Sequence, residues 1–358
     1  RLAPPVDAAA RRRRALLLVA GDVVGGHEHQ AYTLAKEILA TAELEVACSS
    51  GAVRSYFSSL PCRVSVVPFW RAGPLPSQLL RARQAFRDLK PLLHGADVVV
   101  VSGGTFEATI SAAYASRGVA RCVAYIPMFV DRSVLHPFTG CAYNQVSTFA
   151  GRRIDAYCTI NRVQAHLLRQ RFGRPVIVLP NQVRPVSSPR VGDAGRRLVY
   201  VGRFDDGQKG LSELLRLLDT PQNPYRDLLL IGSGPAEDRL RRVSQSARWL
   251  RVSFRHWLTP EEIDSELCTG DCLVLNSRWE GEPLVIREFG ARGLPCIVRD
   301  IPGVRGITVR HARFTTPDQL YTALRQVHDG RMPAPRAMPR DWAQRRRRDA
   351  VRAILYPQ

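Results

Sequence analysis

The chain's 358 residues are 45% hydrophobic and 23% charged, with a formal net charge of +20. So much apolar surface excludes a disordered polypeptide, and the length suits two domains of about 150–200 residues rather than a single core. Of the 52 basic residues only Lys36, Lys90 and Lys209 are lysines, so the excess is almost all arginine. It favours anionic partners such as phosphates, acidic lipid headgroups or nucleic acid, or else coats a solvated surface.

The first dozen residues, rich in Pro, Ala and Arg, lack apolar periodicity, and 1–14 are expected to form a mobile tail. Arg11 to Arg14 followed by ALLLVA imitates a signal peptide, but the apolar run stops after six residues at Gly21-Asp22, short of the usual ~7–15. No apolar stretch approaches the roughly 20 residues of a membrane span. The expectation is a buried strand and a cytoplasmic protein, at most one that works at the inner face of a membrane.

From Ala15 the apolar runs ALLLVA, VSVVPF, ADVVVVS, RCVAYI, DAYCTI and PVIVLP alternate with helical patterns such as HEHQAYTLAKEILA, SQLLRARQAFRDLKPLL, FEATISAAYAS and RVQAHLLRQRF. Continuous apolar strands between helices predict a doubly wound parallel sheet covered on both faces, here over 15–182. The Pro-, Gly- and Ser-rich run ending at Arg197 reads as a linker over 183–197. A second α/β domain follows over 198–334, with strands RLVYVG, DLLLIG, RVSFRHW, DCLVLNS and PCIVRD and helices around GLSELLRLL, PAEDRLRRV, PEEIDSEL and PLVIREFGARG. Residues 335–358 form a basic terminal helix with Trp342, Val351, Ile354 and Leu355 available for packing. Eight cysteines show no CxxC spacing and read as small buried hydrophobes of a reducing compartment.

Ligands of open α/β sheets bind beyond the carboxyl ends of the strands, so the loops there are the candidate sites. After DCLVLNS comes RWEGEPLVIREF, where Pro283 suits a first helical turn and Gly281 permits close backbone approach. A helix starting there leaves the amides of Leu284, Val285 and Ile286 for a diphosphate. Glu280 before the helix and Glu288 in its second turn bracket that position, as acceptors for sugar hydroxyls or as ordinary turn and helix residues. After RLVYVG, Arg203 and Lys209 stand in RFDDGQKG as diphosphate partners or solvated cations. DLLLIG leads into a glycine turn with Gly232 and Gly234, and RVSFRHW ends at Trp257 and Leu258, a wall for a base or part of a core.

In order, VGRFDDGQKG, LLLIGSGPAEDRL, CLVLNSRWEG and EGEPLVIREFGARGLPCIV resemble the donor half of retaining glycosyltransferases of family 4. The resemblance implies the GT-B fold, two Rossmann-like domains facing a cleft with the C-terminal helix crossing back to the N-terminal domain. It further implies that Glu280 contacts the donor sugar, Glu288 the ribose, Arg203 and Lys209 the diphosphate, and the Leu284 and Val285 amides the distal phosphate. LLLVAGDVVGGHEHQAYTLAKEIL resembles the family's first strand, glycine loop and helix, which places Gly25 and Gly26 near the donor phosphates; a simple tight turn is the other reading.

Two departures from the family stand out. Glu282 occupies a position usually apolar or aromatic, where it alters donor choice or caps the helix. Pro127 and Met128 stand where many members have a histidine near the reacting sugar, and His136 is the candidate substitute. There is no DxD triplet, so leaving-group charge falls to Arg203, Lys209 and helix amides, with no metal. The expected substrates are a UDP-, GDP- or ADP-sugar and a glycan or lipid-linked acceptor of cell-surface polysaccharide or lipopolysaccharide synthesis. The basic surface suits peripheral contact with an anionic membrane face, and no nucleic-acid partner is expected. The competing readings are a non-catalytic polyanion-binding protein, or a sugar epimerase or phosphorylase, on the same fold.

Overall fold

The computed structural model describes residues 12–21, 24–67, 84, 87–103, 116, 118–129, 140–191, 196–335 and 340–357. The chain divides into two compact units, residues 1–182 with 341–358, and residues 183–340. Residues 1–11 of the expected tail, most of FEATISAAYAS and His136 lie outside the described residues, while Arg14, assigned to that tail, already begins the first strand.

The first unit is built on seven parallel strands in the order β3-β2-β1-β4-β5-β6-β7: β1 (Arg14–Val19), β2 (Glu43–Cys48), β3 (Arg63–Val66), β4 (Val98–Ser102), β5 (Arg121–Tyr125), β6 (Ala156–Thr159) and β7 (Val176–Val178). The consecutive apolar residues of β1 and β4 follow from burial on both faces. Leu17, Val19, Val98 and Val100 pack in one layer with Leu34 and Ile38 of α1 (Gly26–Leu39). Leu16, Leu18, Val99 and Val101 pack in the other with Leu168 and Phe172 of α4 (Arg162–Phe172). Two further helices are α2 (Gly51–Phe57) and α3 (Gly140–Gly151), and helical residues 87–93 bury Leu89 and Leu93 in the second layer.

The C-terminal helix α11 (Arg340–Leu355) belongs to this unit, with Val351, Ile354 and Leu355 buried in the first layer. Trp342, expected to pack, is 42% exposed. The buried residue that anchors α11 is instead Arg347, whose guanidinium donates to both Glu37 carboxylate oxygens at 2.6 and 2.9 Å and to the Pro180 carbonyl.

In the second unit six parallel strands run β10-β9-β8-β11-β12-β13: β8 (Leu198–Val201), β9 (Asp227–Ile231), β10 (Arg251–Arg255), β11 (Cys272–Leu275), β12 (Cys296–Arg299) and β13 (Arg313–Phe314). Between them lie α5 (Asp206–Lys209), α6 (Leu211–Leu218), α7 (Glu237–Gln245), α8 (Pro260–Glu266), α9 (Leu284–Ala291) and α10 (Pro317–His328). In each sheet the strand order reverses beside the first strand, between β1 and β4 and between β8 and β11.

Two strands lie outside the expected set: β2, whose ELEVAC mixes glutamates with apolar residues, and β13, only two residues long. Cys48, Cys122, Cys158, Cys272 and Cys296 are buried as expected, and desolvation pushes the Cys48, Cys122 and Cys158 thiols up to about 12. Cys141 departs from the expectation and is exposed.

Candidate functional site

The loops after β8 and β11 meet at the switch point of the second sheet, the position where an open α/β sheet receives its ligand. Asp205 caps α5 by accepting from the Gln208 amide at 3.1 Å. The turn is then stitched to the β11 loop: Gln208 Nε2 donates to the Trp279 carbonyl at 3.1 Å, and the Arg278 amide to the Gln208 carbonyl at 2.8 Å. These bonds deliver Lys209 Nζ to Glu280 Oε1 in an ion pair whose side chains are 18% and 11% exposed. Arg203, in the same loop, is more exposed and pairs with Asp205 at 3.1 Å. The two cations of the loop are therefore each held by their own carboxylate.

Glycines permit this packing. Gly210 closes α5 at φ +60, and its carbonyl accepts from Asn276 Nδ2 at 2.9 Å. Gly232 and Gly234, read as a ligand-binding turn, lie backbone to backbone against the β8 loop. A Cβ on Gly232 would meet the Gly202 carbonyl, and one on Gly234 would lie 2.6 Å from the Phe204 carbonyl oxygen. The Phe204 amide donates to the Ser233 carbonyl at 2.8 Å. Their observed work is to brace the loop that carries Arg203. Gly303, absent from the expected set, supports the β11 loop from the other side, since a Cβ there would meet the Glu280 carbonyl.

The segment EGEPLVIRE forms the start of α9, with Pro283 at the N-cap. The Ile286 amide is taken by the Pro283 carbonyl at 3.2 Å, so it is not available to a ligand as expected. Leu284 and Val285 amides have no acceptor among the described residues. Glu282 does not cap the helix: it is buried, and Arg287 Nε donates to its Oε1 at 2.6 Å. Glu288 stands 3.5 Å from Arg184 Nε, and Arg184 in turn reaches Asp264, which also receives Arg292 and the Ser187 amide. Linker residue Arg184 thus lies between Glu288 of α9 and Asp264 of α8. Trp257 is 54% exposed, which removes the core reading, while Leu258 packs against the core edge.

In the first unit Gly25 caps α1, and its amide donates to Glu28 Oε2 at 2.9 Å; a Cβ on Gly26 would meet nothing within 4 Å. Sequence reasoning missed His27. Its Nε2 lies 3.0 Å from Ser102 Oγ at the end of β4, its ring stacks on Tyr125 at 5.9 Å, and desolvation lowers its pKa. A histidine on the first turn of a helix carries no periodic signal, so only the strand pairing reveals it.

Two doubly wound parallel sheets with these switch points define an α/β protein of the GT-B fold. Residues 189–331 match the family described as glycosyl transferases group 1. A putative glycosyltransferase of Bacillus subtilis strain 168, EpsF, is 28% identical over 155 residues, 42% of this chain and 40% of that protein. An uncharacterized 41.2 kDa protein in the cps region of Klebsiella pneumoniae is 29% identical over 104 residues, 29% of this chain and 27% of that protein. The chain thus spans about two fifths or less of the length of these curated relatives. Among solved structures, the lipopolysaccharide outer core galactosyltransferase WaaB, in its apo form, aligns with a TM-score of 0.65 at 17% identity, over 96% of both chains. HepE of Anabaena, in complex with UDP and glucose, aligns with a TM-score of 0.65 at 16% identity, over 96% of this chain and 94% of that one. Likeness at these identities establishes the fold.

Proposed function

We propose that the chain is a retaining glycosyltransferase of the family 4 kind, moving a sugar from a nucleotide-sugar to a glycan or lipid-linked acceptor in cell-surface polysaccharide or lipopolysaccharide assembly. The observation that carries this reading is the Lys209–Glu280 pair at the switch point, inside a segment that matches group 1 glycosyl transferases. The donor's diphosphate takes the Leu284 and Val285 amides and the Lys209 ammonium, its ribose takes Glu288, and its sugar takes Glu280. Trp257 and Leu258 line the base.

In the reaction the bond between the anomeric carbon and the phosphate oxygen breaks. The acceptor hydroxyl forms the new bond on the same face, and its proton passes to the departing phosphate. Lys209, Arg203 and the two amides are in place before that charge develops, so little reorganisation opposes them. No protein nucleophile is needed, and no step calls on a metal. The donor is a UDP-, GDP- or ADP-sugar, and the UDP and glucose held by HepE make UDP-hexoses the first to try.

A thermal-shift screen over UDP-, GDP-, ADP- and CMP-sugars tests the reading, since a ligand at a hundred times its Kd stabilises by about 2.7 kcal/mol. One nucleotide is expected to stand out, and Glu288→Gln to weaken it by about 1.5–3 kcal/mol. A folded protein that responds to no nucleotide-sugar and turns none over would sink the proposal.

A further inference from the structure

The positive charge is unevenly placed. The first unit holds 27 basic against 13 acidic residues and the second 25 against 19. Their pairing differs more: among the described residues, fourteen arginines of the second unit have carboxylate partners, against Arg14, Arg63 and Arg347 in the first. The second unit's paired arginines tie its loops together, whereas most of the first unit's described arginines are exposed without a carboxylate partner among the described residues.

On α11 this excess is ordered. Helical spacing of ~100° per residue puts Trp342, Arg345, Arg346, Asp349, Arg352 and Tyr356 within about a third of the circumference, and all six are exposed. The opposite arc, Arg347, Ala350, Val351, Ile354 and Leu355, is buried. None of the three outward arginines has a carboxylate partner among the described residues, and Asp349 is the arc's single acid. Arg346 lies 5.7 Å from the Trp342 ring and Arg13 lies 5.0 Å from the Tyr356 ring, so each aromatic end carries a cation. The bidentate Arg347–Glu37 contact fixes the helix about its axis and keeps this arc outward.

We propose that the outward arc of α11 docks on an anionic lipid bilayer, Trp342 and Tyr356 seating at the headgroup level and Arg345, Arg346 and Arg352 meeting lipid phosphates. Two exposed aromatics roughly 21 Å apart along one helix are the feature that favours a bilayer over a soluble polyanion. Their rings are apolar with a polar tip and suit a membrane interface, while arginines beside them gain from the negative surface potential. The surface is independent of the transfer reaction. Vesicle binding without any nucleotide-sugar response would sink the proposed function and leave this surface standing.

The test is co-sedimentation of the full chain with phosphatidylcholine vesicles with and without phosphatidylglycerol, at physiological salt. Binding is expected only to the anionic vesicles. R345Q/R346Q/R352Q is expected to lower the partition coefficient about a hundredfold, at about fivefold per charge. The control R152Q/R169Q/R174Q removes the same charge elsewhere on the first unit and is expected to change it only a few-fold. W342A/Y356A is expected to weaken binding at every salt concentration, and circular dichroism melts confirm that each variant folds. Equal losses in the two triple variants, no binding to anionic vesicles, or an α11 variant that loses RNA binding while its vesicle binding is unchanged would each overturn the proposal.

Discussion

Lys209 and Glu280, 71 residues apart in the chain, form an ion pair across the two loops that flank the switch point of the second sheet. Each side chain is under one-fifth exposed, so removing one leaves the other poorly solvated. Lys209→Met is expected to lower donor affinity and stability together, whereas Lys209→Met with Glu280→Gln restores stability but not donor use. A double-mutant cycle on chemical denaturation should return a coupling of about 1–3 kcal/mol. A coupling near zero would show that the pair does not hold the loops.

Glu282 is distinguished from Glu280 and Glu288 by its partner. Its carboxylate is buried against Arg287 rather than turned to the helix start. Glu282→Ala leaves Arg287 uncompensated and is expected to cost about 2–3 kcal/mol of stability, with nucleotide affinity unchanged in titration calorimetry. A selective change of donor preference at unchanged stability would return Glu282 to the donor site.

Two of the glycines expected at the donor site separate by the same logic. Gly232→Ala drives a Cβ into the Gly202 carbonyl at φ +147, and a loss of about 3 kcal/mol or more is expected because backbone must move. Gly26→Ala meets open space and lies in α1, so stability should hold or rise by about 0.5–1 kcal/mol. If Gly26 serves the donor phosphates, that same variant loses nucleotide affinity, which a thermal shift with and without ligand reads directly.

Arg347 is 1% exposed and makes three hydrogen bonds that tie α11 to α1 and to the Pro180 carbonyl. Arg347→Met retains much of the volume but strands Glu37, and is expected to destabilise the first unit by about 3 kcal/mol. Hydrogen exchange should show α11 losing protection first. Uniform protection across α11 in the variant would mean that the apolar face alone holds the helix.

Asp264 supplies the pH dependence. Burial alone would raise its pKa, but the Arg292 hydrogen bond, the Ser187 amide and the nearby Arg184 outweigh burial and hold it below the ordinary value. The unfolded chain therefore takes up the proton more readily. Asp264's stabilisation is complete above the unfolded carboxyl value of about 3.9 and is lost as pH falls through that value and the lower folded one. The melting-temperature gap between the wild type and Asp264→Asn should narrow from about pH 7 to about pH 3. A gap that does not move with pH would contradict this account.

Both sheets were legible in the sequence because burial on both faces leaves a local mark. Runs such as ALLLVA and DCLVLNS are continuous, and 3.6-residue periodicity separates them, so a doubly wound α/β chain with loops beyond each strand end follows from neighbours alone. The short strand β13 and the half-polar β2 lacked that mark. The start of α9 was also legible, since Pro283 and the apolar residues after it are adjacent. Partners were not. Whether Lys209 meets Glu280, whether Arg184 in the linker reaches Glu288, and whether Trp342 or Arg347 faces the core depend on which strands lie side by side. Helical periodicity marks an arginine as outward. Only the packing of α11 against α1, which offered Glu37 and the Pro180 carbonyl at the right distance, made burying Arg347 less costly than leaving it in water.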